Sequence, residues 1–366
     1  MPRRVTVRDI AAETGVSIAT VSRVLNHSAS VAPATRDLVE QAVERLGATA
    51  PGPRGGTPKP AAGAVYVRCP YLLTDYFGLI VSSIAETLDR HGRQLVLNAG
   101  QGAASAPVLS QLAAGRSSAG YGGRRSVGTD ENSPAEPGQT VQPAVGGAIL
   151  ILPPESSEEL VRLRARRFPF VVVDPRTPLP RDIAAVSAAH FSGARQVTAH
   201  LAELGHRRIG VIAGPREWLA SDARLSGHAA ALADAGSLPD PALVRFVEPT
   251  TEWGYRAAGE LLDLPERPTA LVAFNDKAAV GALRAAVERG LSIPGDLSVA
   301  GFDDIDLSRA TSPLLTTVRQ PLQEMGRMAV SLLIRLLDRH ELEALHVELA
   351  TELVIRDSTG PAPGAA

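Results

Sequence analysis

The chain has 366 residues, 45% of them hydrophobic and 21% charged, with a formal net charge of −2. That length exceeds one ordinary compact unit, and the charge balance by itself points to no polyanionic partner. Cys69 is the single cysteine, which excludes an intramolecular disulfide and any multi-cysteine metal site. No apolar core follows the first arginines as in a signal peptide, and no run of roughly 18 apolar residues occurs, so a cytoplasmic chain with no membrane span is expected. The charge is unevenly placed. Residues 1–60 hold eight Lys or Arg against five acids, 8 − 5 = +3, which leaves −5 for the remainder. A basic head on an acidic body suits local phosphate contact.

The head is legible in VTVRDIAAETGVSIATVSRVLN, residues 5–26. A first helix is expected from Val7 to Thr14, with Thr6 as N-cap and Ile10 and Ala11 as its apolar side. Gly15 breaks it, Val16 fills the gap, and Ser17 caps a second helix through Thr20, Val21, Val24 and Leu25. Small residues and a glycine turn let the two helices cross steeply, as in a helix-turn-helix. Ile18, Ala19, Ser22, Arg23 and Asn26 are then exposed. A hydroxyl, an amide and an arginine on that face can meet base edges and phosphates. A third helix, Ala34 to Leu46 with Pro33 at its start, carries Leu38, Val39, Ala42, Val43 and Leu46 at helical spacing. The head therefore spans 1–47. Residues 48–63 are dense in Gly and Pro and read as a linker.

From Ala64 onward, short β-branched runs alternate with helices: AVYVRCP, RQLVLNAG, AILILPP, FPFVVVDP, RIGVIAGP, TALVAFND and LSVAGFDD are strands, with helices such as GARQVTAHLAELG and KAAVGALRAAVERG between them. Such alternation predicts parallel sheets covered on both faces, an α/β body of two subdomains. Residues 112–145 have little apolar content and read as a disordered insertion. Cys69 is expected near a strand end, His206 in a turn, and Asp276 as a helix cap. No HExxH, GxSxG or GxxxxGK[ST] occurs, and the histidines lack metal spacing, so no enzyme, metal or cofactor is expected.

The head, with LAELGHRRIGVIAGP, SDARLSG, AFNDKAAVGA and VAGFDDIDLSRATSPLLTTVRQP in that order, makes the chain resemble the LacI/GalR family of bacterial transcription regulators over nearly its whole length. The resemblance implies a homodimer on a palindromic operator, and a body like a periplasmic sugar-binding protein with an effector between subdomains. It places Ile18, Ala19, Ser22 and Arg23 in the major groove, with Thr20 and Asn26 as phosphate or capping groups. It also implies one subdomain of about 64–186 plus 318–343 and another of about 187–317 plus 344–357, followed by a disordered tail, 358–366. That tail carries no heptad, so a dimer is expected.

Open α/β sheets bind ligands at strand C-terminal ends. Asp174, Asn275 and Asp303 stand at such ends, beside Arg176, and Arg224 matches the family's serine-x-x-arginine-x-x-glycine element. Tyr76 and Phe77 can supply an aromatic wall. Carboxylates, an amide and an arginine suit a sugar, whose hydroxyls both donate and accept. The expected function is thus a nucleoid-associated repressor released by a sugar. The alternatives are a purine or nucleoside corepressor system, and a sugar-binding protein that binds no DNA. One departure stands out: prolines 51, 53, 58 and 60 preclude the hinge helix of similar proteins, whose leucine enters the minor groove.

Overall fold

A computed structural model describes residues 7–17, 20, 21, 24, 33–45, 63–100, 145–340, 342 and 344–364. The chain forms two compact units, Met1–Ala62 and Gly63–Ala366. The linker after the head and the 112–144 stretch of the expected insertion lie outside the described residues.

In the head, α1 (Val7–Thr14) and α2 (Pro33–Arg45) pack around the helical residues Val21 and Val24. Ile10, Val21, Val24, Val39 and Ala42 form its core, with Ala11 and Val16 against it. Gly15 turns the chain at φ +67, a conformation a Cβ would strain. Leu38 departs from the expected core stripe. It is 40% exposed, because the buried stripe runs through Val39 and Ala42.

The larger unit holds two parallel sheets. The first has the order β11-β5-β4-β3-β1-β2, with β1 Ala64–Cys69, β2 Leu95–Ala99, β3 Val145–Ile151, β4 Phe170–Val173, β5 Ala185–Ala188 and β11 His346–Leu349. Alternate residues face opposite layers. Val65, Val67, Ile149, Ile151, Val171 and Val173 meet α3 (Asp75–Arg90) and α9 (Leu322–Leu337). Tyr66, Ala148, Leu150, Phe170 and Val172 meet Leu160 and Leu163 of α4 (Ser157–Ala165), a helix begun by a Ser156–Glu159 capping box.

The second sheet has the order β7-β6-β8-β9: β6 Ile209–Ala213, β7 Val244–Phe246, β8 Ala270–Ala273 and β9 Ser298–Ala300. One face is covered by α5 (His190–Glu203) and α6 (Leu219–Asp234), the other by α7 (Thr251–Leu262) and α8 (Asp276–Glu288). Helices α7 and α8 cross at Gly254 and Gly281; a Cβ on Gly281 would land on the Thr251 carbonyl oxygen. A two-stranded antiparallel pair, β10 (Thr317–Arg319) with β12 (Glu352–Val354), completes the unit.

Two boundary expectations are corrected. Residues 346–349 pair with β5 and belong to the first sheet, so the last crossing between lobes falls after Leu349 rather than near 344. Nor is the tail after 357 structureless. Ser358 is fully buried, accepting from the Thr316 N–H at 2.8 Å and donating to the Val299 carbonyl at 2.6 Å, and the Ala362 N–H donates to Leu204. A polar serine in an apolar tail is a weak sequence signal; its two buried backbone partners give it a fixed place.

Candidate functional site

Three crossings join the lobes: Ala189, Gln320–Pro321 and the turn after Leu349. The first and third are laced together, since the Ala189 N–H donates to Leu349 and the Thr351 hydroxyl to the Ala189 carbonyl. Beside them, the C-terminal ends of β4, β5, β8 and β9 bring together side chains far apart in sequence.

Asp174, at φ +53 just past β4, is the centre of a buried chain of contacts. Its Oδ2 accepts from the Tyr76 hydroxyl at 2.8 Å, and its Oδ1 from Nε2 of His190 at 2.7 Å. His190 Nδ1 lies 3.2 Å from Nη2 of Arg224. Arg224 Nη1 donates to the Phe274 carbonyl, and its Nη2 stands 4.0 Å from Oδ1 of Asp303. The Gln320 amide donates to that same oxygen at 2.6 Å. The Arg224 guanidinium also lies over the Phe302 ring at 3.7 Å.

Electrostatics follow from this burial. Desolvation pushes the Asp174 carboxyl up, but His190, the Tyr76 hydroxyl and Arg224 outweigh it and hold the group below its usual value. For Asp303 desolvation wins over Arg224 and Gln320, and its pKa is pushed up to about 7. Burial and the nearby carboxylates raise the Tyr76 phenol well above its ordinary value.

An aromatic rim adjoins this polar floor. Tyr71 stacks on Phe77 at 4.5 Å, and Tyr76 meets Phe77 edge-on at 5.0 Å. The Arg176 guanidinium lies between Tyr71, at 5.1 Å, and Trp218 of the second lobe, at 5.0 Å. Two hydrogen bonds span the lobes here: Leu219 N–H to the Arg176 carbonyl at 2.9 Å, and Lys277 Nζ to the Thr74 hydroxyl at 3.0 Å. Among the described residues, five buried polar atoms that make no hydrogen bond lie in this region: Tyr71 Oη, Arg176 Nε, Ser221 Oγ, Arg224 Nε and Gln320 Oε1.

Tyr76, Phe77, Asp174, Arg176, Arg224 and Asp303 therefore stand in one neighbourhood. Asn275 is differently employed. It caps α8, accepting from the Ala278 N–H at 2.9 Å, while its Nδ2 donates to Pro249. Asp276, expected to cap, is instead the first helical residue. It is fully buried, accepting from the Thr317 hydroxyl and the Ile305 N–H. His206 ties Thr269, Ser298 and Gly360 together. Sequence reasoning missed His190, Gln320, Tyr71 and Trp218. His190 follows β5, an Ala/Ser strand with no β-branched run to flag it, and Gln320 carries no charge.

In the head, the Ser17 hydroxyl accepts from the Thr20 N–H at 3.1 Å and contacts the Thr20 hydroxyl at 2.8 Å, so Ser17 starts the second helix. Thr6, Ile18, Ala19, Ser22, Arg23 and Asn26 lie outside the described residues.

Residues 6–48 match the bacterial regulatory proteins of the lacI family, and residues 198–359 match a periplasmic binding protein-like domain. The transcriptional repressor CytR of Escherichia coli K12 is 31% identical over 364 residues, 98% of this chain and 97% of that protein. The chain belongs to the LacI family of bacterial regulatory proteins. Another relative in the family, the transcriptional regulator MalR of Streptomyces coelicolor, is 34% identical over 372 residues, 97% of each chain. Of solved LacI-family structures, a CelR–cellobiose complex is 29% identical with a TM-score of 0.66, covering 97% of this chain and all of that one. The lac repressor dimer bound to operator and an anti-inducer is 26% identical, also at 0.66, covering 98% of this chain and all of that one. These relatives are transcriptional regulators. Among the described residues no helix is long and apolar enough to cross a membrane.

Proposed function

We propose that this LacI-family regulator is a cytoplasmic, nucleoid-associated repressor. It binds a palindromic operator as a homodimer, and a sugar or sugar derivative held between its lobes controls it; no catalytic step is involved. The observation that carries the effector reading is the set of unpartnered buried polar atoms in this region: Tyr71 Oη, Ser221 Oγ, Arg224 Nε and Gln320 Oε1. Buried polar groups without partners are costly. Donors and acceptors are mixed among them, and sugar hydroxyls, which do both, satisfy each kind. Asp174, Arg224 and Asp303 supply further charge-assisted contacts. Ser17, Ile18, Ala19, Thr20, Ser22, Arg23 and Asn26, with Thr6, form the DNA-reading set of the head. Arg23 pairs with guanine, worth about 1–3 kcal/mol of discrimination.

Because the ligand contacts both lobes, it favours the arrangement that brings them together. By linkage it shifts operator affinity only as far as it prefers one arrangement. The test is operator binding by the purified protein across a range of salt, with and without a panel of sugars. Palindrome-specific binding released by one sugar supports the reading. Weak binding with a steep salt dependence and no ligand effect overturns it.

A second reading rests on the aromatic rim. Aromatic side chains, Tyr71, Phe77 and Trp218, beside the polar floor also suit a nucleoside, which adds an aromatic base to a sugar. Adding nucleosides to the panel separates the two.

A further inference from the structure

Most charges of the candidate effector site already have partners. Asp174 accepts from Tyr76 and His190, and Asp303 accepts from Gln320 while facing Arg224. Asp276 is occupied by the Thr317 hydroxyl and the Ile305 N–H, and burial pushes its carboxyl well above its ordinary value, which favours the neutral form. Two cations are left over, Arg176 and Lys277. Among the described residues neither forms an ion pair with a carboxylate, and the Arg176 side chain makes no hydrogen bond.

Arg176 is held by rings instead. Its guanidinium carbon lies 5.1 Å from the centre of the Tyr71 ring and 5.0 Å from that of Trp218, and its Nε is buried without a partner. A ring contact uses the charge of a guanidinium but none of its N–H donors in the plane of the fork. Lys277 stands in the first turn of α8, where the helix dipole disfavours a cation, and its Nζ gives one of three protons to the Thr74 hydroxyl at 3.0 Å. Tyr71 and Thr74 belong to one short loop, 70–74, between β1 and α3, so both cations contact the same loop.

The acids on the neighbouring elements are Asp75, Glu217, Asp222 and Glu248, and all four are exposed. Burial lowers the Arg176 pKa, and Glu217 and Glu248 oppose it only in part. A guanidinium keeps its proton even so. A half-buried charge without a counterion is stabilised by an added anion.

We propose that the effector is an anionic sugar derivative, a phosphate ester or a sugar acid, whose anionic group binds Arg176 while its hydroxyls meet the polar floor. This rests on the effector-binding reading above and narrows its chemistry. Arginine presents a planar fork of donors that matches either anion, and a neutral sugar leaves that fork without a counterion. Lys277 adds a second positive charge from the other lobe.

The experiment is calorimetric titration of the purified protein with matched compounds. Hexoses, pentoses, disaccharides and nucleosides are each compared with their monophosphate esters, and the sugars also with their uronic or aldonic acids. One anionic compound is expected to bind roughly tenfold to hundredfold more tightly than its neutral parent. The ratio should fall as salt rises from about 50 to about 500 mM, and the phosphate and acid arms show which anion is preferred. Arg176→Gln should lose most of that ratio, whereas Arg176→Lys, which keeps the charge, should retain part of it. A neutral parent that binds as tightly as its anionic derivatives overturns the inference and leaves the sugar reading standing. An unchanged ratio in Arg176→Gln also overturns it, because the anion then binds elsewhere or Arg176 serves only to join the lobes. The wild-type ratio and its salt dependence need no variant, so they decide the question even where Arg176→Gln folds poorly. Binding of no compound, neutral or anionic, removes the effector reading and this inference with it.

Discussion

Arg224 and Asp303 face each other at 4.0 Å, both nearly buried, one from a helix of the second lobe and the other from the strand end next to a lobe crossing. Each has further partners: Arg224 the Phe274 carbonyl and His190, Asp303 the Gln320 amide. The pair thus joins the candidate effector floor to the crossing strand that carries Gln320. Removing one partner of such a buried pair strands the other. Arg224→Met is expected to abolish the response of operator binding to the effector and to destabilise the protein by roughly 3–5 kcal/mol. Calorimetric titration with the sugar panel and urea unfolding check the two parts separately.

Asp303 also makes stability depend on pH. Its pKa in the folded protein, about 7, lies above its ordinary 3.8, so the folded state holds the proton more tightly than the unfolded chain. The resulting stability is fully present below about pH 4 and is lost as pH rises to about 7, a total of a few kcal/mol. Asp174, held below its ordinary value, acts in the opposite sense and only under more acidic conditions. Urea unfolding between pH 5 and 8 should show stability falling with pH in the wild type and falling less in Asp303→Asn. A larger fall in the variant would contradict the assignment.

The crossing of α7 and α8 depends on two glycines. A Cβ at position 281 meets the Thr251 carbonyl oxygen and the Tyr255 nitrogen, both backbone and unable to swing aside. Gly281→Ala is expected to cost about 1–3 kcal/mol or more despite its better helix propensity. Thermal unfolding of the variant measures this. An unchanged Tm would mean the helices part easily.

The chain end should matter for stability. Ser358 satisfies one backbone N–H and one carbonyl in a buried place, so Ser358→Ala leaves both unpaired. A loss of about 1–3 kcal/mol is expected, and deletion of residues 358–366 should cost at least as much. Denaturant midpoints of the two variants are the readout.

Lys277 and Thr74 join the lobes at the rim by one exposed hydrogen bond. Exposed bonds of this kind contribute little, so Lys277→Ala should weaken effector binding less than tenfold and act mainly by speeding release. Stopped-flow dissociation would show it.

The sequence by itself determined the local elements and their order. Apolar spacing together with the Gly15 breaker placed α1 at Val7–Thr14. β-branched runs marked β1, β4, β6 and β8, because parallel strands buried on both faces are uniformly apolar. Charged residues at strand ends pointed to Asp174 and Asp303, and the motif around Arg224 pointed to its role. What only the tertiary structure decided is which of these groups share partners. Whether Asn275 or Asp276 caps α8 depends on where Thr317 and the Ile305 N–H lie, some 30 to 40 residues away in the chain. Likewise, His190 joins the site because β5 ends beside β4. Local propensity acts over a few residues; these partnerships are set by sheet order and burial, which no short stretch of sequence contains.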